Sequence, residues 1–228
     1  MVAIVKYNAG NVRSVQFALQ RLGIEAIWTD EPDLLRTADK VIFPGVGEAS
    51  SAMYHLRARG LDAVLRSLRQ PVLGICLGLQ LFCRHSEEGD TPCLGIFDVE
   101  VRRFQSPVAP PPTPKGEHIP GNETQISTVH EIYSPVGVGG GARLKVPHIG
   151  WNTLSALRSP LFEGLQDENY VYFVHSFYAE LHSDTIAQTV YGVPFSAALQ
   201  RDNFYAVQFH PEKSGPVGQR ILNNFLNL

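Results

Sequence analysis

Cysteine is scarce in this chain, with three residues among 228, at positions 76, 83 and 93. An odd number cannot pair completely and no two stand in a C-x-x-C arrangement, so neither a disulfide framework nor a structural zinc site is expected. Basic runs are missing as well. Nineteen Lys and Arg against 22 Asp and Glu leave a net charge of −3, without the clustered cations of a nucleic-acid or membrane-surface binder. No apolar stretch approaches the roughly 20 residues that a spanning helix needs. The apolar opening at residues 2–6 is too short for a signal-peptide core and has no basic region ahead of it. The expected setting is therefore a reducing cytoplasm, with small molecules and proteins as partners.

What the chain does have is the composition of a folded domain, 44% hydrophobic and 18% charged. Its length favours one domain over residues 1–228. Apolar runs at 2–6, 24–28 and 40–43 read as strands. Val12, Val15, Ala18, Leu19 and Leu22 recur at helical spacing up to Gly23, and further helices are predicted over 33–37, 49–59 and 61–69. This alternation predicts an α/β fold, a doubly wound and mostly parallel sheet with helices on both faces, whose ligands collect at the carboxyl ends of its strands. The second half is richer in strands, at 170–174, 185–191, 196–200 and 204–209, before a closing helix over 216–226. Prolines crowd 107–120 and glycines 137–141, so residues 106–143 read as a flexible surface insertion, with a small strand over 124–129.

The chemistry concentrates in Gly74-Ile75-Cys76-Leu77-Gly78-Leu79-Gln80. A buried strand ends at Cys76 and a helix begins after it, which is the nucleophile elbow with cysteine in place of serine. On this reading the flanking glycines leave room for a tight turn that pushes the cysteine into a strained, exposed position. The unpartnered first amides of the helix favour a thiolate and can hold an oxyanion. Such a thiol needs a base and an orienting group. His210 is the strongest of eight histidines, delivered by an apolar strand at the edge where Cys76 emerges. In an extended His210-Pro211-Glu212, residues two apart share a side, which places the carboxylate beside the ring. His175 reads as a pocket-wall or structural histidine, and His148 as a structural histidine or part of a contact surface, rather than a base. Pro44-Gly45-Val46-Gly47 suits a second oxyanion donor, because its glycines allow the peptide at Val46 to turn.

Together these motifs resemble the class I (triad) glutamine amidotransferases, whose fold is flavodoxin-like. Asn8-Ala9-Gly10-Asn11, residues 146–152, residues 172–177 and Gln208-Phe209-His210-Pro211-Glu212-Lys213-Ser214 carry the likeness further, to the glutaminase subunits that serve imidazole glycerol phosphate synthase in histidine biosynthesis. The resemblance implies catalysis by Cys76, His210 and Glu212, with oxyanion donors at Leu77 and Val46. It implies glutamine contacts from Gly45, Gly47, Gln80, His175, Ser176 and Phe177, and no cofactor or metal. It also implies a heterodimer with a (β/α)8-barrel cyclase, faced by Asn11, Trp151, Asn152, Tyr172 and Lys213, to which ammonia passes directly. An amidotransferase for another synthase, a γ-glutamyl hydrolase, or a non-catalytic assembly subunit would use much of the same sequence. The insertion is the departure from the family pattern.

Overall fold

The structure is a computed structural model that describes residues 1–7, 12–45, 47–105 and 144–228. Asn11, Val46 and the insertion with its expected strand lie outside the described residues. In chain order the elements begin β1 (Val2–Val5), α1 (Val12–Arg21), β2 (Ala26–Thr29), α2 (Pro32–Thr37), β3 (Lys40–Gly45), α3 (Ala49–Ala58), α4 (Leu61–Ser67), β4 (Val72–Cys76) and α5 (Leu77–Phe82). Three short strands follow: β5 (His85–Ser86), β6 (Thr91–Pro92) and β7 (Glu100–Arg103). The second half holds β8 (His148–Thr153), β9 (Tyr170–His175), β10 (Phe177–Ala179), β11 (Thr185–Tyr191), β12 (Val193–Arg201), β13 (Phe204–Val207) and α6 (Gly215–Leu226).

The main sheet runs β2-β1-β3-β4-β13-β12-β10-β7-β5-β6, with β11 paired to β12. From β2 to β13 every pairing is parallel, and from β13 onward antiparallel pairs predominate. Alternate residues of the parallel strands enter different cores, as the period of two requires. Ala3, Val5 and Phe43 pack with Leu35, Met53, Leu56, Leu65 and Phe82 of α2 to α5. Ile4, Ile42, Leu73 and Ile75 pack with Leu19 of α1 and Ile221, Leu222 and Phe225 of α6. Helices thus cover both faces of the parallel half, as the sequence predicts. No helix among the described residues is long and apolar enough to cross a membrane.

The strand register decides what meets at the carboxyl edge. Gly45 lies beside Cys76 across β3 and β4, and Val207 lies beside Ile75 across β4 and β13. The residues that follow β13 therefore leave the sheet next to the elbow. Outside the sheet, β8 and β9 form an antiparallel ribbon that pairs His148 with His175 and Trp151 with Tyr172.

Candidate active site

Cys76 ends β4 and caps α5 at φ 54°, ψ −108°. A non-glycine residue there stores about 1–3 kcal/mol of strain, which persists only when its surroundings over-determine it. Those surroundings are tight. All six residues of α5 are buried, which is what allows so short and apolar a helix to form. The cysteine itself takes the strained turn and the flanking glycines leave it room by permitting close approach, as the sequence predicts, but Cys76 is buried where an exposed position was expected. A Cβ on Gly78 would lie 2.1 Å from the Phe43 carbonyl oxygen, and one on Gly74 would lie 2.8 Å from the Phe82 ring. Leu77, first residue of α5, has a backbone N–H with no acceptor inside the helix.

His210 is fixed from three directions. Its N–H donates to the Tyr172 carbonyl at 2.9 Å. The Ser214 hydroxyl donates to the His210 carbonyl at 2.7 Å and accepts from the Tyr172 N–H at 3.0 Å. Nδ1 of the ring meets Glu212 Oε1 at 2.8 Å, with both side chains almost fully buried. This pairing is made by a 3-10 turn over Pro211–Lys213, where the sequence reading had an extended segment. The turn folds the carboxylate back beneath the ring, and α6 seats against it. A Cβ on Gly218 of that helix would lie 1.9 Å from the Pro211 carbonyl oxygen. The second oxygen of Glu212 is buried and has no partner among the described residues.

Glu212 occupies Nδ1 and so leaves Nε2 as the ring nitrogen free to exchange a proton. Burial by itself pushes the imidazolium down, but the interactions of the ring with the Cys76 side chain first and with Glu212 second outweigh it and raise His210 to about 10. The Cys76 sulfur also accepts from Gln208 Nε2 at 3.6 Å and lies 3.7 Å from the Val174 carbonyl oxygen. Proton transfer from thiol to imidazole is the chemistry such a pair supports.

The other sites expected from sequence fall into two groups. Gly45 adjoins Cys76, and the Tyr7 hydroxyl donates to the Pro44 carbonyl at 2.9 Å, holding the strand that leads to Gly47 at φ +115°. Burial, and secondly the charge of Cys76, keep the Tyr7 phenol neutral by raising it well above its ordinary range. Gln80 donates to the Phe177 carbonyl at 3.0 Å and to Gln208 Oε1 at 3.1 Å, so both of its amide hydrogens are spent inside the protein. His175 has both ring nitrogens engaged, one at 2.7 Å from the Phe177 carbonyl oxygen and the other at 3.0 Å from His148. The Ser176 carbonyl accepts from the Phe104 N–H at 3.0 Å, and the Phe177 carbonyl meets both Gln80 and His175.

Of the two readings of His148, the structure supports the structural one over the contact surface. Its ring is 3% exposed and stacks on Tyr191 at 3.9 Å. Burial lowers it to about 4, and lowers His175 to about 3 with the charges of His148 and His210 reinforcing the effect. Asn152 is likewise spent internally, on the Val190 carbonyl at 3.0 Å and on His148 at 3.4 Å. Trp151 is exposed and meets Tyr172 edge-on at 5.7 Å, with Ile149, Tyr170 and Lys213 exposed as well. Gln208 and Ser214, both buried against the centre, are functional candidates that sequence reasoning missed. The register beside Cys76 is the signal that finds Gln208. Among the described residues no cluster of three His, Cys, Asp or Glu could hold a metal ion.

The sequence matches the family model "Glutamine amidotransferase class-I" over residues 4–228. Two curated relatives, each described as imidazole glycerol phosphate synthase subunit HisH, are similar along their whole length. The protein from Bacteroides thetaiotaomicron is 54% identical and that from Bacteroides fragilis 53%, both over 227 residues that cover 100% of this chain and 99% of the relative. A solved glutamine amidotransferase superposes with a TM-score of 0.63 at 20% identity, covering 99% of this chain and 97% of that one, a likeness of fold.

Proposed function

The chain belongs to the class-I glutamine amidotransferases, in the family of the HisH subunit of imidazole glycerol phosphate synthase, and from that premise we propose how its residues release ammonia from glutamine. His210 takes the proton of Cys76, and the thiolate attacks the carbon of the substrate's side-chain amide. The oxyanion formed is held by the N–H of Leu77 and, as the family resemblance implies, by that of Val46. As the carbon–nitrogen bond breaks, the His210 imidazolium protonates the leaving nitrogen and ammonia departs, leaving a γ-glutamyl thioester on Cys76. Water, giving its proton to His210, attacks the thioester; glutamate leaves and the thiol is restored. Glu212 holds the ring in one tautomer and stabilises its charged form throughout.

One observation carries this reading: the buried ring that Glu212 holds at 2.8 Å leaves the sheet on the strand that pairs with β4, next to the strained elbow at Cys76. Gly45, Gly47, Gln80 and the backbone of 175–177 line the approach to the thiol and are proposed to receive the substrate. The acceptor of ammonia is a (β/α)8-barrel cyclase that produces imidazole glycerol phosphate and an aminoimidazole-carboxamide ribonucleotide. The exposed Trp151 and Lys213 and the half-buried Tyr172 on the β8–β9 side of the site are its docking anchors, since accessible aromatics rimmed by polar groups suit an interface.

The test is glutamate release by the purified chain, alone and mixed with the histidine-pathway cyclase of the same organism, with and without the cyclase's nucleotide substrate. Strong stimulation that requires both cyclase and nucleotide is the expected result. Brisk hydrolysis that ignores the cyclase would overturn the partner assignment, and failure of Cys76 to label with a glutamine-analogue electrophile would overturn the nucleophile.

A further inference from the structure

We propose that Gln208 is a catalytic residue, whose side-chain N–H donates to the Cys76 sulfur and favours the thiolate, and that Gln80 holds its carboxamide the right way round. The proposal deepens the reading above and rests on Cys76 being the nucleophile. Its argument is a count of donors and acceptors that starts away from the thiol and ends on it.

The Phe177 carbonyl can only accept. The atom of Gln80 that lies 3.0 Å from it must therefore be the amide nitrogen. That same nitrogen lies 3.1 Å from the Gln208 side chain, and its second hydrogen needs an acceptor, so the atom of Gln208 facing it is the oxygen. The nitrogen of Gln208 is then the atom left to face Cys76, at 3.6 Å from Sγ. The orientation is imposed, because reversing either carboxamide would set donor against donor or acceptor against acceptor.

The Phe177 carbonyl is itself held. His175 Nδ1, at 2.7 Å, must donate to it, so in the neutral ring Nε2 is an acceptor. His148 Nδ1, at 3.0 Å, must donate to that atom, and His148 Nε2 in turn accepts from Asn152. The two histidines thus carry fixed tautomers that fill the second lone pair of the carbonyl on which Gln80 depends.

A merely structural glutamine would be an odd choice here. Gln208 is fully buried, next to the parallel core of the sheet, and its backbone N–H is already satisfied by the Ala197 carbonyl at 2.8 Å. A thiol is a weak acceptor and repays the burial of an amide poorly. A thiolate is a strong one, and a hydrogen bond to an ionised group is about twice as strong as a neutral one. The same N–H thus distinguishes the reactive form of the sulfur from the unreactive form. His210 supplies a cation on one side of the sulfur, and Gln208 supplies a neutral dipole on another.

The experiment alkylates the full-length chain with iodoacetamide across a pH series and follows the Cys76 peptide by mass spectrometry. Burial raises the Cys83 and Cys93 thiols, Cys93 to about 12, so they serve as slow internal references. In Gln208→Met the midpoint of the Cys76 curve should move up by about one pH unit, and glutamine kcat should fall about tenfold with KM little changed. Gln208→Glu keeps the shape and the bond from Gln80 but sets an anion against the sulfur. Its curve should move at least as far, and it carries the test if the methionine variant does not fold. Curves that superimpose on the parent's would overturn the proposal. The nucleophile reading fails separately, if Cys76→Ala still releases glutamate.

Discussion

Two buried histidines on the segments next to Cys76 behave oppositely. His210, on the turn after β13, faces a carboxylate at 2.8 Å and is raised to about 10. His175, at the end of β9, faces another imidazole and a backbone carbonyl and is lowered to about 3. Burial opposes the charged ring in both, so burial cannot be what separates them. The partner is. The Cys76 side chain together with the Glu212 carboxylate converts a buried imidazole into a base that keeps the proton it takes, whereas a carbonyl and a second neutral ring convert it into a fixed donor and acceptor that takes none.

The contrast breaks most completely at His210. His210→Gln should lower glutamine turnover by about 10²- to 10⁴-fold, the usual worth of a positioned acid–base group, measured as steady-state glutamate release. Removing only the charge beside it is a milder intervention. Glu212→Gln loses one charge-assisted bond of about 1.5–3 kcal/mol, so turnover should fall about 10- to 100-fold while the fold persists.

The smallest effect is on stability, and its sign differs between the sites. His175 is depressed from 6.5 to about 3, so its contribution is complete above pH 6.5 and is lost as the pH falls from there toward 3, by up to about 1.4 kcal/mol per pH unit. His210 is raised from 6.5 to about 10, so its contribution is complete below pH 6.5 and is lost as the pH rises through 10. Urea midpoints from pH 7 to pH 4 should therefore fall less steeply in His175→Gln than in the parent. Parallel slopes would mean that His175 already binds a proton in the folded protein.

These two sites also mark what a linear sequence can disclose. The elbow and the His210–Glu212 pair are local patterns, a strand-to-helix junction and two residues on one short turn, and both are visible in order along the chain. Even there the reading shifted, from an extended segment to a 3-10 turn and from an exposed thiol to a buried one. The parallel half of the sheet was legible because apolar runs and helical periods alternate cleanly. The strand β7, Glu-Val-Arg-Arg, was not, since it offers one buried valine among charged residues. Gln208 reaches Cys76 across 132 positions, and His148 meets His175 across 27. Such contacts exist only once strand order and register are known, which is why His148 stayed open between structure and surface and Gln208 read as unremarkable.

The glycines at 78 and 218 have a bearing on how this enzyme could be redesigned. Each holds a catalytic segment against a carbonyl at a distance that admits hydrogen and excludes carbon: Gly78 sets the elbow against β3, and Gly218 sets α6 against the turn that carries Glu212. Neither has a side chain that could touch a substrate, so a library built around pocket-lining residues would pass over both. Any such library that reaches them by chance will lose its members by displacement of the machinery rather than by altered recognition. A programme to change the amide donor should therefore hold these two positions constant and spend its diversity on the substrate approach.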